Sequence, residues 1–290
     1  IFVPDYNWGA MENVGAVTFN EAYIFRSKVP EARIHARTLV TLHELSHMWF
    51  GNLVTMRWWN DLWLNESFAT WAATTAAVDT GLFPDGWTTF AVDDKTSGAR
   101  QDQLPTTHPI VAEINDLEDV EVNFDAITYD KGAGVLKQLV AWVGREPFLA
   151  GVAKYLRVHA HGNATLHDLL SQLETASGRS LTQWSTQWLE TAGINTLHVE
   201  IESEADAAAP SGPERITRAT VVQSAAEAHP LLRPHRIAIG AYTLEGDGSL
   251  SRTTRIELDI VGARTDVREL VGLPRPALVL PNDDDLTFAS

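Results

Sequence analysis

His43-Glu44-Leu45-Ser46-His47, with eighteen residues intervening before Glu66, is the stretch that decides how this chain is read. On a helix, positions four apart share a face, so His43 and His47 can offer two imidazoles to one metal ion. Glu44 lies one residue round and flanks that face without having to ligate. That is the place for a carboxylate that takes a proton from a water held by the metal. Two histidines and one carboxylate, with a fourth position left to water, describe a catalytic zinc site; a structural site is closed by four protein ligands. The competing reading is two surface histidines on an ordinary helix, with Glu66 an unrelated acid. Context favours the metal. Residues 36–42 lead in with apolar side chains at helical spacing, and Gly51-Asn52 supplies a stop. A second helical pattern over 61–69 carries Glu66. The spacing predicts helices over 33–50 and 61–80, and a third over 131–143.

Further motifs surround this one. Gly9-Ala10-Met11-Glu12-Asn13 stands upstream, with Glu12 thirty-one residues before His43. Trp63-Leu64-Asn65-Glu66, the run Trp49 to Met56 and Trp58-Trp59-Asn60-Asp61 lie close by, and Tyr129-Asp130-Lys131-Gly132 follows. Together they resemble the zinc aminopeptidases of the aminopeptidase N type. The last motif is similar to that family's catalytic-tyrosine motif, where glutamate more often holds the place of Asp130. The resemblance runs over residues 1 to about 195 and continues more weakly to the end.

It implies an α+β architecture: a thermolysin-like, mainly helical zinc-peptidase domain over 1–194, then a small antiparallel β-sandwich over 195–290. It implies one Zn2+ per chain on His43, His47 and Glu66. Glu44 would be general base and then acid, and Tyr129 the second donor to the oxyanion. Glu12 would hold the substrate's α-ammonium, and the backbone of Gly9 and Ala10 would line the substrate as an edge strand. The implied partners are peptides with a free N-terminus. Members of the resembled family are longer, so this sequence resembles their middle, with flanking N- and C-terminal domains and the first part of the catalytic domain outside it. Two other readings stay open. A thermolysin-like endopeptidase shares the two histidines and the downstream glutamate. A zinc-bearing scaffold whose sandwich docks a partner would bind metal without turnover.

Composition narrows the classes. The chain has 290 residues, 44% hydrophobic and 21% charged, enough for sizeable cores. It has no cysteine, so zinc must be held by nitrogen and oxygen and no disulfide framework is available. A net charge of −16 argues against nucleic acid and anionic membrane surfaces. There is no apolar run of eighteen residues and no signal-peptide pattern, so the expected compartment is cytoplasmic.

Organisation changes near residue 195. Before it, helical periods dominate. Thr165-Leu166-His167-Asp168 reads as a capping box, and Ser180-Leu181-Thr182-Gln183 as a similar start. After it, Leu197–Glu202, Arg236–Tyr242 and Arg255–Ile260 alternate with period two, as half-buried strands do. Residues 205–213, with two prolines and a glycine, read as an exposed loop. Several tempting residues have bland readings. His159 and His161 fit an exposed loop better than a metal pair. Asp283–Asp285 fit a solvated turn better than a calcium loop. Trp58, Trp59, Trp63 and Trp71 fit core around the zinc helices, with a place for one of them beside the cleft. Either Asp61 or Asn65 could support a ligating imidazole.

Overall fold

A computed structural model describes residues 1–206 and 212–290. Residues 207–211 of the proline-containing loop lie outside the described residues. Three short strands open the chain: β1 (Phe2–Val3), β2 (Ala10–Met11) and β3 (Thr18–Asn20), in the order β1-β3-β2. β2 is therefore an edge. Then come α1 (Glu31–Ser46), β4 (Val54–Met56), α2 (Trp63–Asp79), α3 (Gly86–Val92), α4 (Asp94–Gln101) and α5 (Leu117–Val122). A π-helical turn over Ile127–Lys131 runs into α6 (Gly132–Val143). α7 (Arg145–His159), β5 (Gly162–Ala164), α8 (Leu166–Ser177) and α9 (Thr182–Leu189) complete the helical part. The rest is β6 (Asn195–Glu204), β7 (Arg215–Ala225), β8 (His235–Leu244), β9 (Leu250–Ile260), β10 (Arg264–Asp266) and β11 (Leu278–Leu280). The fold class is α+β.

α1 and α2 bury very differently. α2 is apolar or small nearly all round, and eleven of its residues between Trp63 and Ala77 are buried. That is the pattern of a helix enclosed by others. It packs against α1, α3 and α6. Phe68 stacks on Phe50 at 4.7 Å and on Phe148 at 6.3 Å between ring centroids. α1 is amphipathic, and only His35 and Glu44 are buried on it. α1 ends at Ser46, four residues before the end its period suggests. The last turn tightens, with Met48 N–H donating to Leu45 O and Trp49 N–H to Ser46 O. Gly51 then takes φ +120°, which a side chain would resist.

The first core cluster gathers buried residues from Val54 to Ile194, plus Phe288 from the chain's far end. The second lies between two antiparallel sheets, β10-β7-β6 and β11-β8-β9. β6 alternates, with Leu197 inward and His198 outward. β8 is the middle strand of its sheet, and Ile237 to Ala241 are buried in an unbroken run. The two cores are laced together. Arg233, in the segment before β8, is buried and donates to Gln187 O, Thr191 Oγ1 and Ala192 O at 2.7–2.8 Å. Its guanidinium lies 5.5 Å from the Trp188 ring centroid.

Some details depart from the sequence reading. The capping box at Thr165 and Asp168 forms. Ser180 caps nothing: α9 starts at Thr182, and the Leu181 N–H donates to Glu174 Oε1 instead. Trp58 is half exposed, not core, and its indole donates to Ile114 O at 2.9 Å. Asp283, Asp284 and Asp285 are neither a calcium loop nor a merely solvated turn. They pair with Arg252, Arg255, Lys95 and Lys137.

Candidate metal centre

α1 and α2 lie side by side, and their contact brings the opening motif together. His43 Nε2 and His47 Nε2 are 2.9 Å apart. Glu66 Oε2, from the first turn of α2, lies 3.3 Å from the first and 3.5 Å from the second. Ligand atoms on a tetrahedral zinc with bonds of about 2.0–2.1 Å stand about 3.3 Å from one another. The three atoms have that spacing.

The surrounding hydrogen bonds fix which atoms face inward. His47 Nδ1 lies 2.7 Å from Asn65 Oδ1 and 3.0 Å from Phe50 O, both acceptors, so its proton belongs there. His43 Nδ1 faces the Thr70 hydroxyl at 3.3 Å. The Thr70 hydroxyl can accept from His43 Nδ1–H, and in that tautomer two Nε2 lone pairs and one carboxylate converge on one point. That donor set fits a metal cation. Asn65 is the hub of this arrangement. Its amide also reaches Glu66 Oε1 at 3.4 Å and Glu12 Oε1 at 3.3 Å. Gly51 makes room for it, since a Cβ at Gly51 would stand 2.1 Å from Asn65 Oδ1. Of the two candidates for support of an imidazole, Asn65 does it. Asp61 instead accepts the Leu166 N–H at 3.0 Å, at the start of α8.

The electrostatics agree with a cation site. Burial alone would raise the Glu66 carboxyl, but hydrogen bonds and charge from His43 and His47 hold it at about 2. Burial works against a charged His47, yet Glu66 and Glu12 raise it to about 9. Glu44 goes the other way. Burial is the largest cause, with Glu12 and Glu66 adding to it against His47, and together they push it up to about 7. Glu44 Oε2 is buried with no hydrogen-bond partner among the described residues.

Glu12 arrives from β2. One of its oxygens lies 3.9 Å from His47 Nδ1, and ligand atoms of Glu12, Glu44 and His47 lie within 4.8 Å of one another. Asn52, just after Gly51, donates to Glu12 O at 2.8 Å and ties this segment to the helix end. Tyr129 comes from the π-helical turn. Its ring stacks on His43 at 6.0 Å between centroids. Burial chiefly, then Glu66, raises its hydroxyl far above the usual tyrosine value. Gly9, Ala10, Val40, His43, Glu44 and Tyr129 wall a cavity of about 330 Å³. Trp8 also lines it, whereas none of Trp58, Trp59, Trp63 and Trp71 does. A cavity of about 430 Å³ beside Arg57 and α8 lies away from this cluster. His159 and His161 stand apart from the metal-capable groups found among the described residues.

All eight residues singled out in the sequence meet here. Three that support them went unassigned: Asn52, Gly51 and Thr70. Asn52 and Gly51 had a signal in the helix-stop reading, but a stop signal says nothing of what the freed side chains touch.

Against this geometry stands a match to the peptidase family M1 domain over residues 1–188. The chain belongs to peptidase family M1. It is 58% identical to aminopeptidase N of Streptomyces lividans over 291 aligned positions, covering 100% of this chain and 34% of that protein. It is 42% identical to the tricorn protease-interacting factor F2 of Thermoplasma volcanium, over 69% of this chain and 26% of that one. With aminopeptidase M1 of Arabidopsis thaliana the identity is 40%, over 70% and 23%. The chain thus spans about a third or less of the length of these M1 relatives. No helix among the described residues is long and apolar enough to cross a membrane.

Proposed function

We propose that this chain carries the catalytic centre of a zinc-dependent aminopeptidase, in a thermolysin-like arrangement over residues 1–194 with a β-sandwich domain over 195–290. The observation that carries the reading is Glu12. A third carboxylate lies within 4.8 Å of both Glu44 and His47, beside a ligand set already complete in type. A site for internal bonds must admit chain on both sides of the metal. A carboxylate at this distance suits a free α-ammonium instead, since an ion pair strengthens where water is scarce.

His43, His47 and Glu66 would hold the zinc. When bound, it lowers the pKa of a water toward ~7 and polarises the scissile carbonyl. The chain's own residues do the rest. Glu12 binds the ammonium and sets where the peptide bond falls. β2 has one edge paired to β3, so Ala10, with Gly9 just before it, presents the other edge to an extended substrate. Glu44, with its carboxyl near 7, can accept the proton of the attacking water and return it to the leaving amine. Tyr129 keeps its proton at working pH and donates a hydrogen bond to the carbonyl oxygen as charge builds there.

A peptide offered with a free amine and with an acetylated one tests this. The reading requires stepwise release of the N-terminal residue from the first and no cleavage of the second. Internal cleavage of the acetylated peptide would leave the endopeptidase reading standing. Bound zinc with no turnover of either would favour the scaffold.

A further inference from the structure

The π-helical turn over Ile127–Lys131 is gripped from three sides, and the grip joins it to the helix that carries Glu66. On one side stands Ser67, next to Glu66 on α2. Its hydroxyl donates to Thr128 O at 2.5 Å. Gly132, the first residue after the turn, packs directly over it: a Cβ at Gly132 would lie 2.0 Å from Ser67 Oγ and 2.8 Å from Ser67 Cβ. On a second side α4 comes equally close, for a Cβ at Gly98 would lie 2.8 Å from Lys131 N. The third grip is ionic. Lys131 is wholly buried and reaches both oxygens of buried Asp102, at 3.0 and 2.9 Å. Asp102 also accepts Thr107 Oγ1 at 2.8 Å and the Gly193 N–H at 2.9 Å, so it is fixed in turn. A buried pair needs such further hydrogen bonds to offset desolvation.

None of these groups touches the cavity, but Tyr129 lies between them. The turn is widened, with Lys131 N–H donating five residues back to Ala126 O. Such a turn is an irregularity that the surroundings must hold in place.

We propose that Ser67 and Gly132, with Lys131–Asp102 behind them, are positioning residues. They clamp the turn onto α2 and so set Tyr129 relative to Glu66 and His43. This rests on the role given to Tyr129 above. A shift of about 1 Å in a reacting group can cost 10²-fold in rate, so a clamp of this kind would be read in kcat rather than KM.

The test is Gly132→Ala, its partner Ser67→Gly, and the two combined, in protein labelled with 3-fluorotyrosine. Five tyrosines give five fluorine resonances. Tyr129 is the one missing in Tyr129→Phe. In Gly132→Ala the Tyr129 resonance should move while the other four stay. Ser67→Gly alone, which loses the hydrogen bond to Thr128 O, should move it less, and the double variant, which gives the new methyl its room without that bond, should bring it back to the Ser67→Gly position. Zinc content should equal that of the unmodified chain. An unmoved Tyr129 resonance in folded Gly132→Ala, or equal movement of all five, overturns the clamp. Kinetics then separate the clamp from the chemistry. Gly132→Ala should lower kcat about 10²-fold with KM little changed, and add nothing further in a Tyr129→Phe background. If it slows Tyr129→Phe as much as the unmodified chain, it does not act through Tyr129. If the resonance moves and returns as described but kcat is indifferent to both substitutions, the clamp stands and the catalytic role of Tyr129 falls.

Discussion

Two acidic clusters of this chain have opposite surroundings. Asp283, Asp284 and Asp285 meet Arg252, Arg255, Lys95 and Lys137, and each aspartate is neutralised within the chain. Around Glu12, Glu44 and Glu66 stand histidines and the Asn65 amide, and no lysine or arginine pairs with them among the described residues. The first cluster joins loops and helices and needs nothing more. The second gathers three carboxylates and two imidazoles in a partly dry place, an arrangement suited to an added cation. Carboxylates neutralised by lysine and arginine report little beyond stability; carboxylates in a dry cleft without such a cation point to function.

The comparison breaks most sharply at the metal ligands. Without His43 or Glu66 a three-ligand site has no spare ligand, so His43→Ala and Glu66→Ala should lose both zinc and turnover. Glu44→Gln should keep its zinc by elemental analysis while kcat falls by about 10²–10⁴. Equal loss of zinc in all three would remove Glu44 from the role of proton carrier. Tyr129→Phe comes next. It should lower kcat by about 10²–10³ with little change in KM, the usual cost of one oxyanion donor.

How much of this was legible in the sequence follows from the range of each interaction. The approach of His43 to His47 was readable because helical geometry places positions four apart on one face, and β6 begins at Asn195, near where the period of two sets in. Short helices were not. α3, α4 and α5 have eight residues or fewer, too few turns for a period to show. α7 is longer, but its polar and apolar residues are loosely ordered and it went unread. β7 was also missed. Its run Ala219–Val221 is buried on both faces, and its alternation is lost. The ion pairs of Asp283–Asp285 reach partners up to 190 positions away, and no local pattern encodes them. The π-helical turn depends on Ser67, Gly98 and Asp102, again distant in sequence.

Stability gives the smaller contrasts. Lys131→Met leaves Asp102 buried without its cation and should cost about 3–5 kcal/mol in urea unfolding. Asp284→Asn, whose side chain is partly exposed and pairs with exposed arginines, should cost at most about 1 kcal/mol. The reverse order would mean that burial, as described, does not govern the two pairs.

Acid sharpens the picture in the second core. His235 is fully buried, and burial first, then Arg233 and Lys95, lowers its imidazole to about 3. The unfolded chain takes up this proton near 6.5, while the folded one does not until about 3. Stability from this group is therefore complete above pH 6.5 and falls as pH drops from there toward 3. The slope is at most about 1.4 kcal/mol per pH unit. Unfolding followed at several pH values should show it, and His235→Gln should flatten the same interval.

The central claim is that the Glu12 carboxylate, beside Glu44 and His47 and without a lysine or arginine to neutralise it among the described residues, serves a substrate ammonium. The most direct measurement is the affinity of a free amino-acid or peptide product, and of its N-acetylated form, for the chain and for Glu12→Gln. Breaking an ion pair in a desolvated site costs on the order of 3–5 kcal/mol, less where water enters. The account predicts that Glu12→Gln weakens the free-amine ligand at least tenfold, leaves the acetylated one nearly untouched, and spares zinc. Equal weakening of both ligands, or of neither, would contradict it.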